Sequence, residues 1–388
     1  MTLYKTCYFS FKSKIFLTSP VLLHKTIKVK DVRIKVAIAG VGNCASALVQ
    51  GVEYYKNAKE NLEIPGLMHV NFGGYHIRDI EFVAAFDVNK LKTEQDLSEA
   101  IFTEPNCCVR FANMPKLGVK VLPGPIIDGV AEHMKNPFNI YSADEDPVNV
   151  ADVLKESQAN MLLNFLPVGS FRGTRYYAKA CLEAGCAFVN CIPEFIASEQ
   201  EWAKKFENAG LPVAGDDVKS QIGATIVHRA LIHLLVSRGI RIERTYQLNV
   251  GGNTDFLNMT TEGRLKTKRE SKISALTSLT PYKIKAWAGP NGYIPFLKDN
   301  KICHLNIQGR KFGDIPVTID LKLSVQDSPN SAGMVIDVVR ATKLALDRGV
   351  KGPLTSISAY AFKHPPVQVS DHVARQWVEE FVQGKRER

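Results

Sequence analysis

The sequence predicts an α/β protein, a Rossmann-type doubly wound parallel sheet interrupted by an inserted α+β domain. Three observations carry that prediction. A β-rich apolar run, IKVAIAGVG from Ile34, ends in glycines and passes directly into the helical stretch NCASALVQGVEYYKN. Short apolar runs then alternate with helical stretches as far as about residue 240, the pattern of a parallel sheet covered on both faces. Beyond that point the pattern changes to antiparallel strands, and a long helix from Ser331 returns to the first style.

Each element has its own signal. EFVAAFD (81–87) is the second strand, delayed by the polar, Gly-rich interruption IPGLMHVNFGGYHIRD. ANMLLNFLP (159–167) and CAFVNCIP (186–193) are apolar runs closed by proline, and YYAKACLEAG between them is a helix stopped by Gly185. LPVAGDDVKS (211–220) is a strand entering a turn, followed by the helix ATIVHRALIHLLVSRG. RTYQLNVGGN (244–253) is a strand, residues 262–279 read as a polar helix, and HLNIQGRKF with VTIDLKLSVQD alternate as antiparallel strands. AGMVIDVVRATKLALDRG places its apolar residues on one face and stops at Gly349. The expected organisation is an extension over 1–33, a nucleotide-binding domain over 34–242, an inserted domain over 243–328, and a return to the first domain over 329–388.

Composition narrows the function classes. The chain has 388 residues, 45% hydrophobic and 23% charged, which suits a soluble globular protein. No apolar run approaches the roughly 18–20 residues of a membrane span, so no membrane partner and a cytoplasmic location are expected. The net charge is +10, but residues 1–30 hold six lysines and no acid. The rest of the chain is therefore only mildly basic and shows no basic stripe interleaved with aromatics, which argues against nucleic acid. A small phosphorylated substrate accounts for the excess. The eight cysteines form no CxxC pair and no zinc framework, and are read as reduced thiols. Residues 1–33 are Lys-rich without a clean cleavage pattern and are read as a disordered extension.

Gly40-Val41-Gly42-Asn43-Cys44-Ala45 matches G-x-G-x-x-A between a strand and a helix. The first glycine makes the tight turn and the second lets a pyrophosphate approach the backbone. The helix N-terminus offers free N–H groups and the positive end of its dipole. Asp87 closes the second strand, where a carboxylate accepts from ribose hydroxyls and repels a 2′-phosphate, favouring NAD over NADP. It lies 45 residues past Gly42 rather than the usual roughly 20, so the Gly/His-rich interruption must loop out. Gly40, Val41, Gly42, Asn43, Cys44, Asp87 and Asp217 are assigned to the cofactor.

GDDVKSQIGAT (215–225) is a second strand-to-helix turn rich in small polar residues. Ser220, Gln221, Gly223, Ala224 and Thr225 can present donors to a second phosphate, although an ordinary capped helix start reads the same way. Lys268 and Lys272 share a helix face at i, i+4, where like charges repel unless an anion bridges them. Lys301 and Lys363 stand beside apolar segments, and Asp327 sits where a strand gives way to a helix. His228 and His233 lie in an apolar helix and read as core or surface fillers. No His/Cys/carboxylate set resembles a metal site or a nucleophile triad.

VAIAGVGNCASALVQGVEYYKN, GLMHVNFGGYHIRDIEFVAAFDV, FVNCIPEFIAS, GDDVKSQIGAT, LNVGGNTDFLNM and DSPNSAGMVIDVVRA occur in that order. Together they resemble the bacterial and archaeal branch of the myo-inositol-1-phosphate (inositol-3-phosphate) synthase family, from about Val36 to the C-terminus. The resemblance implies a redox-neutral isomerisation using NAD. Glucose 6-phosphate is oxidised at C5, loses a proton from C6, closes by attack on the C1 aldehyde, and is reduced again.

It also implies roles for individual residues. Lys268 moves the C5 hydroxyl proton, Lys272 contacts the phosphate, Lys301 polarises the C1 carbonyl and Lys363 stabilises oxygen at C5. Asp327 is the acid near the nicotinamide; Ser220, Gln221, Gly223, Ala224 and Thr225 cradle the phosphate, and Asn253 and Asp255 line the sugar site. The family's phosphate turn in eukaryotes is a shorter Ser-Gly-Gln-Thr, whereas this one reads SQIGAT. The inserted domain becomes a catalytic and oligomerisation domain, and the assembly a homotetramer. Whether a divalent metal or a monovalent cation assists is left open. Physical logic supports lysines here: ammonium groups stabilise an oxyanion developing at C5, and crowding lowers a lysine pKa toward neutrality. The rival readings are an NAD-dependent sugar-phosphate or homoserine-type dehydrogenase and a non-catalytic NAD-binding regulator. Neither needs four lysines.

Overall fold

A computed structural model describes residues 32–388 apart from 136–138, 141–145 and 265, so nearly all of the expected extension lies outside the described residues. Strand β1 (Ile34–Ala39) buries five of its six residues because a strand lies on either side of it. From one edge the sheet runs β5 (Val121–Pro123), β4 (Ile80–Asp87), β1, β6 (Met161–Asn164), β7 (Ala187–Asn190), β8 (Pro212–Ala214) and β13 (Gly352–Pro353). Every pairing in it is parallel. The chain builds outward from β1 to β5, then crosses back to β6 on the other side of β1. That reversal opens a crevice at the carboxyl ends of β1 and β6, the place where such sheets bind ligands.

Both faces of the sheet are covered. On one, α1 (Asn43–Tyr55) packs against α9 (Asp327–Asp347), and Val335, Ile336, Val338 and Val339 of α9 join Ile34, Val36 and Ile38 of β1 in one apolar cluster. On the other lie α3 (Val150–Glu156), α4 (Phe171–Ala184) and α5 (Gln200–Asn208), with Leu154, Tyr177, Cys181, Trp202 and Phe206 in the core. Gly185 ends α4 in the left-handed region at φ +71°, and a short α2 (Leu97–Ala100) precedes β5. The long spacing between Gly42 and Asp87 is explained by a detour. Its hairpin of β2 (Asn71–Phe72) and β3 (Tyr75–His76) folds back onto α9, where Arg340 donates to the carbonyls of His69 and Val70 at 2.8 and 2.9 Å.

The second sheet has the order β10 (Lys285–Tyr293), β9 (Arg241–Gly251), β11 (Asn300–Lys311), β12 (Ile315–Gln326). β9 and β10 are parallel; β11 is antiparallel to both β9 and β12. Its core joins Ile242, Leu276, Ala288, Cys303, Leu305 and Ile307 to Ala224, Ile232 and Leu235 of α6 (Ala224–Ser237). Helix α6 falls within 34–242 by sequence, yet its apolar face is buried in the core of the second sheet. The remaining elements are α7 (Thr254–Asn258), α8 (Lys266–Thr277), α10 (Thr355–Ala361) and α11 (Asp371–Val382).

Candidate active site

The glycine loop is held from three sides. Gly40 has φ +91°, and a Cβ there would stand 2.7 Å from the Phe165 carbonyl oxygen, so only glycine lets the loop pass the β6 strand end. A Cβ on Gly42 would meet nothing within 4 Å; this residue faces open space at the uncapped start of α1. The Asp87 carboxylate accepts the Val41 N–H at 2.7 Å and those of Val88 and Asn89 at 2.7 and 2.8 Å. Buried Lys92 donates to the Val41 carbonyl and to Asn106 Oδ1, both at 2.8 Å.

The other loop residues stand differently toward the cavity. Val41 is a structural clamp point rather than a cavity residue, since its N–H and C=O are both engaged and its side chain is buried. Asn43 lines the cavity, but its Oδ1 is committed to the amides of Cys107 and Cys108. Cys44 also lines the cavity, and burial pushes its thiol up to about 12, so it stays protonated.

A cavity of about 500 Å³ extends from Gly40, Gly42 and Asp87 to Ser220, Gly223, Ala224 and Thr225 at the start of α6. The first intrahelical bond of α6 runs from Val227 to Gly223, which leaves the amides of Ala224, Thr225 and Ile226 ahead of it. Both ends of the cavity therefore present an open helix N-terminus, a donor set that suits a dinucleotide at α1 and a phosphate at α6. Gln221 departs from expectation. Its N–H is bonded to the Asn330 carbonyl and its side chain to the Gly66 carbonyl at 2.6 Å, so it turns away from the cavity.

The four lysines converge on this cavity. Lys363 donates to Asp217 Oδ1 and to the Val218 carbonyl, both at 2.8 Å. Lys268 lies 3.9 Å from Asp217 and 3.6 Å from Asp255, and Lys301 bonds Asp327 at 2.9 Å. Among the described residues no carboxylate pairs with Lys272, which is 5% exposed. Burial and the ammonium groups of Lys301, Lys268 and Lys363 push its pKa well down. Burial also lowers Lys363, against the pull of Asp217. Lys268 is different: burial opposes its charge, but Asp255, Asp217 and Asp327 overcome that and raise its pKa. Burial would lift the carboxyls of Asp217 and Asp327, yet Lys363 with Lys268, and Lys301 with Lys268, hold them below the usual range.

The scaffold behind the lysines is polar and buried. Ser271, one turn from Lys268 on α8, donates to Asp217. Arg229 of α6 donates to the Ala275 carbonyl of α8, to the Val369 carbonyl and to Asp371, which also accepts from Lys219 at 3.0 Å. Burial brings Lys219 down to about 8. His228 is a core residue, bonded to Thr245 at 2.6 Å and lowered to about 4 by burial; His233 is exposed. Among the described residues no group of three His, Cys, Asp or Glu side chains is placed to hold a metal ion.

Comparison with known proteins bears on this arrangement. The profile of the family described as myo-inositol-1-phosphate synthase matches residues 223–328. The inositol-3-phosphate synthase of Mycolicibacterium smegmatis is 50% identical over 358 residues, covering 90% of this chain and 98% of the relative. That of Corynebacterium glutamicum is likewise 50% identical over 357 residues, with the same coverage. The chain belongs to the myo-inositol-1-phosphate synthase family. A myo-inositol-1-phosphate synthase-related protein from Thermotoga maritima shares the fold, with a TM-score of 0.76 at 24% identity, covering 90% of this chain and 98% of that one.

In this member of the myo-inositol-1-phosphate synthase family, the matched span begins at Gly223 and includes Ala224, Thr225, Lys268, Lys272, Lys301 and Asp327, whereas Ser220 and Gln221 precede it. Reasoning from sequence missed Lys92, Ser271, Gln247 and Asp299. Gln247 lines the cavity from β9, and its signal was a polar residue on the inward face of an alternating strand. Lys92 and Asp299 carried no local pattern, because the partners of Lys92 are 14 and 51 residues away and those of Asp299 29 and 46.

Proposed function

We propose that the protein converts D-glucose 6-phosphate to 1D-myo-inositol 3-phosphate by NAD-dependent oxidation, enolisation, intramolecular aldol closure and reduction. The observation that carries this reading is the convergence of four lysines and their acids on the same cavity as the G-x-G loop. A hydride-transfer enzyme needs the loop; a cyclisation that develops oxyanions also needs the cations. Bound at the loop, NAD supplies a reversible hydride acceptor. Gly42 leaves room for its pyrophosphate against α1, and Asp87, with three backbone N–H bonds already, faces the adenosine end.

The residues divide the remaining work by charge. The substrate phosphate sits at the α6 N-terminus, where its charge favours the ammonium form of Lys272 against the burial and neighbouring lysines that disfavour it. Lys301, held by Asp327, faces the C1 aldehyde and stabilises the alkoxide formed as the ring closes. Lys268 keeps its proton against three carboxylates, so it serves as a fixed ammonium over the C5 oxygen rather than as the base expected from the sequence. Lys363, with a lowered pKa and Asp217 to orient it, is the better acceptor for the C5 hydroxyl proton. The C6 proton passes to an oxygen of the substrate's own phosphate dianion while these cations hold the enolate, and that proton neutralises the C1 alkoxide once the ring has closed. Hydride returned to C5 closes the balance, and no net oxidation remains.

Purified protein given glucose 6-phosphate and catalytic NAD should accumulate an inositol monophosphate, seen by ³¹P and ¹H NMR, with no rise in absorbance at about 340 nm. An ordinary dehydrogenase would instead build up reduced cofactor in step with substrate loss, and that outcome would sink the reading. The assembly we infer is a homotetramer formed through the outer face of the second sheet. Tyr246 and Leu248 on β9, with Trp287 paired to Tyr246 on β10, leave about 40% of their surface open there.

A further inference from the structure

Asp371 opens α11, and two buried cations from different parts of the fold meet on its carboxylate. Lys219, 1% exposed, donates to Oδ1 at 3.0 Å, and Arg229, 0% exposed, donates from Nε to Oδ2 at 2.7 Å. None of the three lines the cavity, but their other bonds reach the segments that do. Lys219 lies between Val218 and Ser220. Its N–H goes to the Ala361 carbonyl at 2.7 Å and its ammonium to the Ala359 carbonyl at 2.8 Å. That seam holds the turn after β8 against the end of α10, where Lys363 gives its N–H to the Asp217 carbonyl at 2.7 Å. Arg229 belongs to α6. Its Nη1 donates to the Ala275 carbonyl and to the Ser278 hydroxyl at 3.3 Å, and its Nη2 to the Val369 carbonyl at 2.7 Å. The last turn of a helix leaves carbonyls without intrahelical donors, and Ala275 is in that turn of α8, the helix of Lys268 and Lys272.

We propose that Asp371 is a positioning residue for the cyclisation. Through Lys219 it fixes the phosphate turn, and through Arg229 it fixes α8, so that the amides at the start of α6 and the lysines of α8 face the same substrate. The C-terminal helix, which belongs to neither sheet, thereby takes part in assembling the site. Each carboxylate oxygen is committed to a different cation, so an acceptor-only group is required. An asparagine would turn its N–H₂ toward either Lys219 or Arg229. Two cations buried on one carboxylate are poorly suited to stability alone, because apolar side chains of the same volume stabilise as well or better. What the cluster supplies is geometry: the guanidinium fork and the ammonium each have their direction set by bonds on several sides. Asp371 keeps 32% of its side chain exposed, so replacing it by asparagine leaves the new amide in reach of water.

This inference rests on the proposed reaction, and the test separates the two. Asp371→Asn should lower kcat for inositol phosphate formation about tenfold and raise KM for glucose 6-phosphate about tenfold. The dissociation constant for NAD, measured by calorimetry, should stay within about twofold, because the cluster makes no bond to the glycine loop. The two arms should also come apart. Lys219→Met, which releases only the phosphate turn, should raise KM with kcat within about twofold. Arg229→Lys, which keeps the charge but loses the fork, should lower kcat with KM within about twofold. Inorganic phosphate titrated into NAD-loaded protein reads the turn without turnover. It should bind about tenfold more weakly to Lys219→Met and Asp371→Asn, and as in wild type to Arg229→Lys. Wild-type constants and phosphate affinity in Asp371→Asn would overturn the proposal. So would losses of kcat, KM, phosphate and NAD binding that follow Tm together in all three variants, by making the cluster only structural. Were Asp371→Asn not to fold, equal effects of Lys219→Met and Arg229→Lys on kcat and KM would overturn it by themselves. A wild-type protein that forms no inositol phosphate defeats the reaction instead, and the phosphate titrations still decide the tie through Lys219.

Discussion

Gly40 and Gly42 are two letters of one motif, yet the structure gives them different reasons to be glycine. Gly40 needs its left-handed φ and the absence of a Cβ beside the Phe165 carbonyl; Gly42 needs neither for the fold. Gly40→Ala should therefore destabilise the protein by about 1–3 kcal/mol, visible as a lower Tm. Gly42→Ala should leave Tm unchanged and weaken NAD about tenfold, because its methyl enters the space assigned to the pyrophosphate. Thermal melts check the first and calorimetric titration with NAD the second, and a Gly42→Ala protein binding NAD as tightly as wild type would remove the cofactor from this loop. At this scale the motif was legible because its chemistry is local. Gln221 was misread for the opposite reason. Its polar side chain suits a phosphate turn, and only the fold brings the Gly66 carbonyl within 2.6 Å of it.

Between elements, the tie that matters most is Asp217. It sits in the turn after β8 and engages Lys363 from beyond α10, and Lys268 and Ser271 from α8. Its assignment from sequence was to the cofactor; it lines the same cavity as the glycine loop, and its carboxylate is engaged by the lysines. Removing its charge in Asp217→Asn leaves two buried ammonium groups less compensated. Turnover should fall about 10²-fold or more as the proton acceptor loses its orientation. Stability should fall by about 3 kcal/mol, as when one partner of a buried pair is removed. Initial rates and thermal melts measure the two effects; a variant that keeps both would contradict the lysine–carboxylate scaffold. Strands β1, β4, β6, β7 and β8 of the parallel sheet were legible as apolar runs because they are buried on both faces, whereas the two- and three-residue edge strands β13 and β5 left no such run. Strand β10 was not legible either. Its Gly-Pro-Asn-Gly interrupts any apolar alternation, and as an edge strand KAWAGPNGY tolerates Pro290 and a register shift between Pro290 and Gly292.

Across the whole molecule, two sheets share the work: the parallel sheet supplies the crevice, and the second sheet with α6 and α8 supplies an open helix N-terminus and three of the four lysines. The order of the two halves followed from the change of period, but the place of α6 did not. A strand-to-helix turn looks the same whichever core buries the helix. The exposed Tyr246, Leu248 and Trp287 bear on assembly: sedimentation of the purified chain should give four copies, and a monomer at micromolar concentration would refute the homotetramer.

The central claim is that this cavity lends a hydride out and takes it back within one turnover. Glucose 6-phosphate carrying deuterium at C5 tests it most directly, with catalytic unlabelled NAD and product analysis by NMR and mass spectrometry. The account predicts an inositol phosphate that retains the deuterium at the former C5, with no reduced cofactor left over. An unlabelled product, or deuterium accumulating in released reduced cofactor, would contradict it.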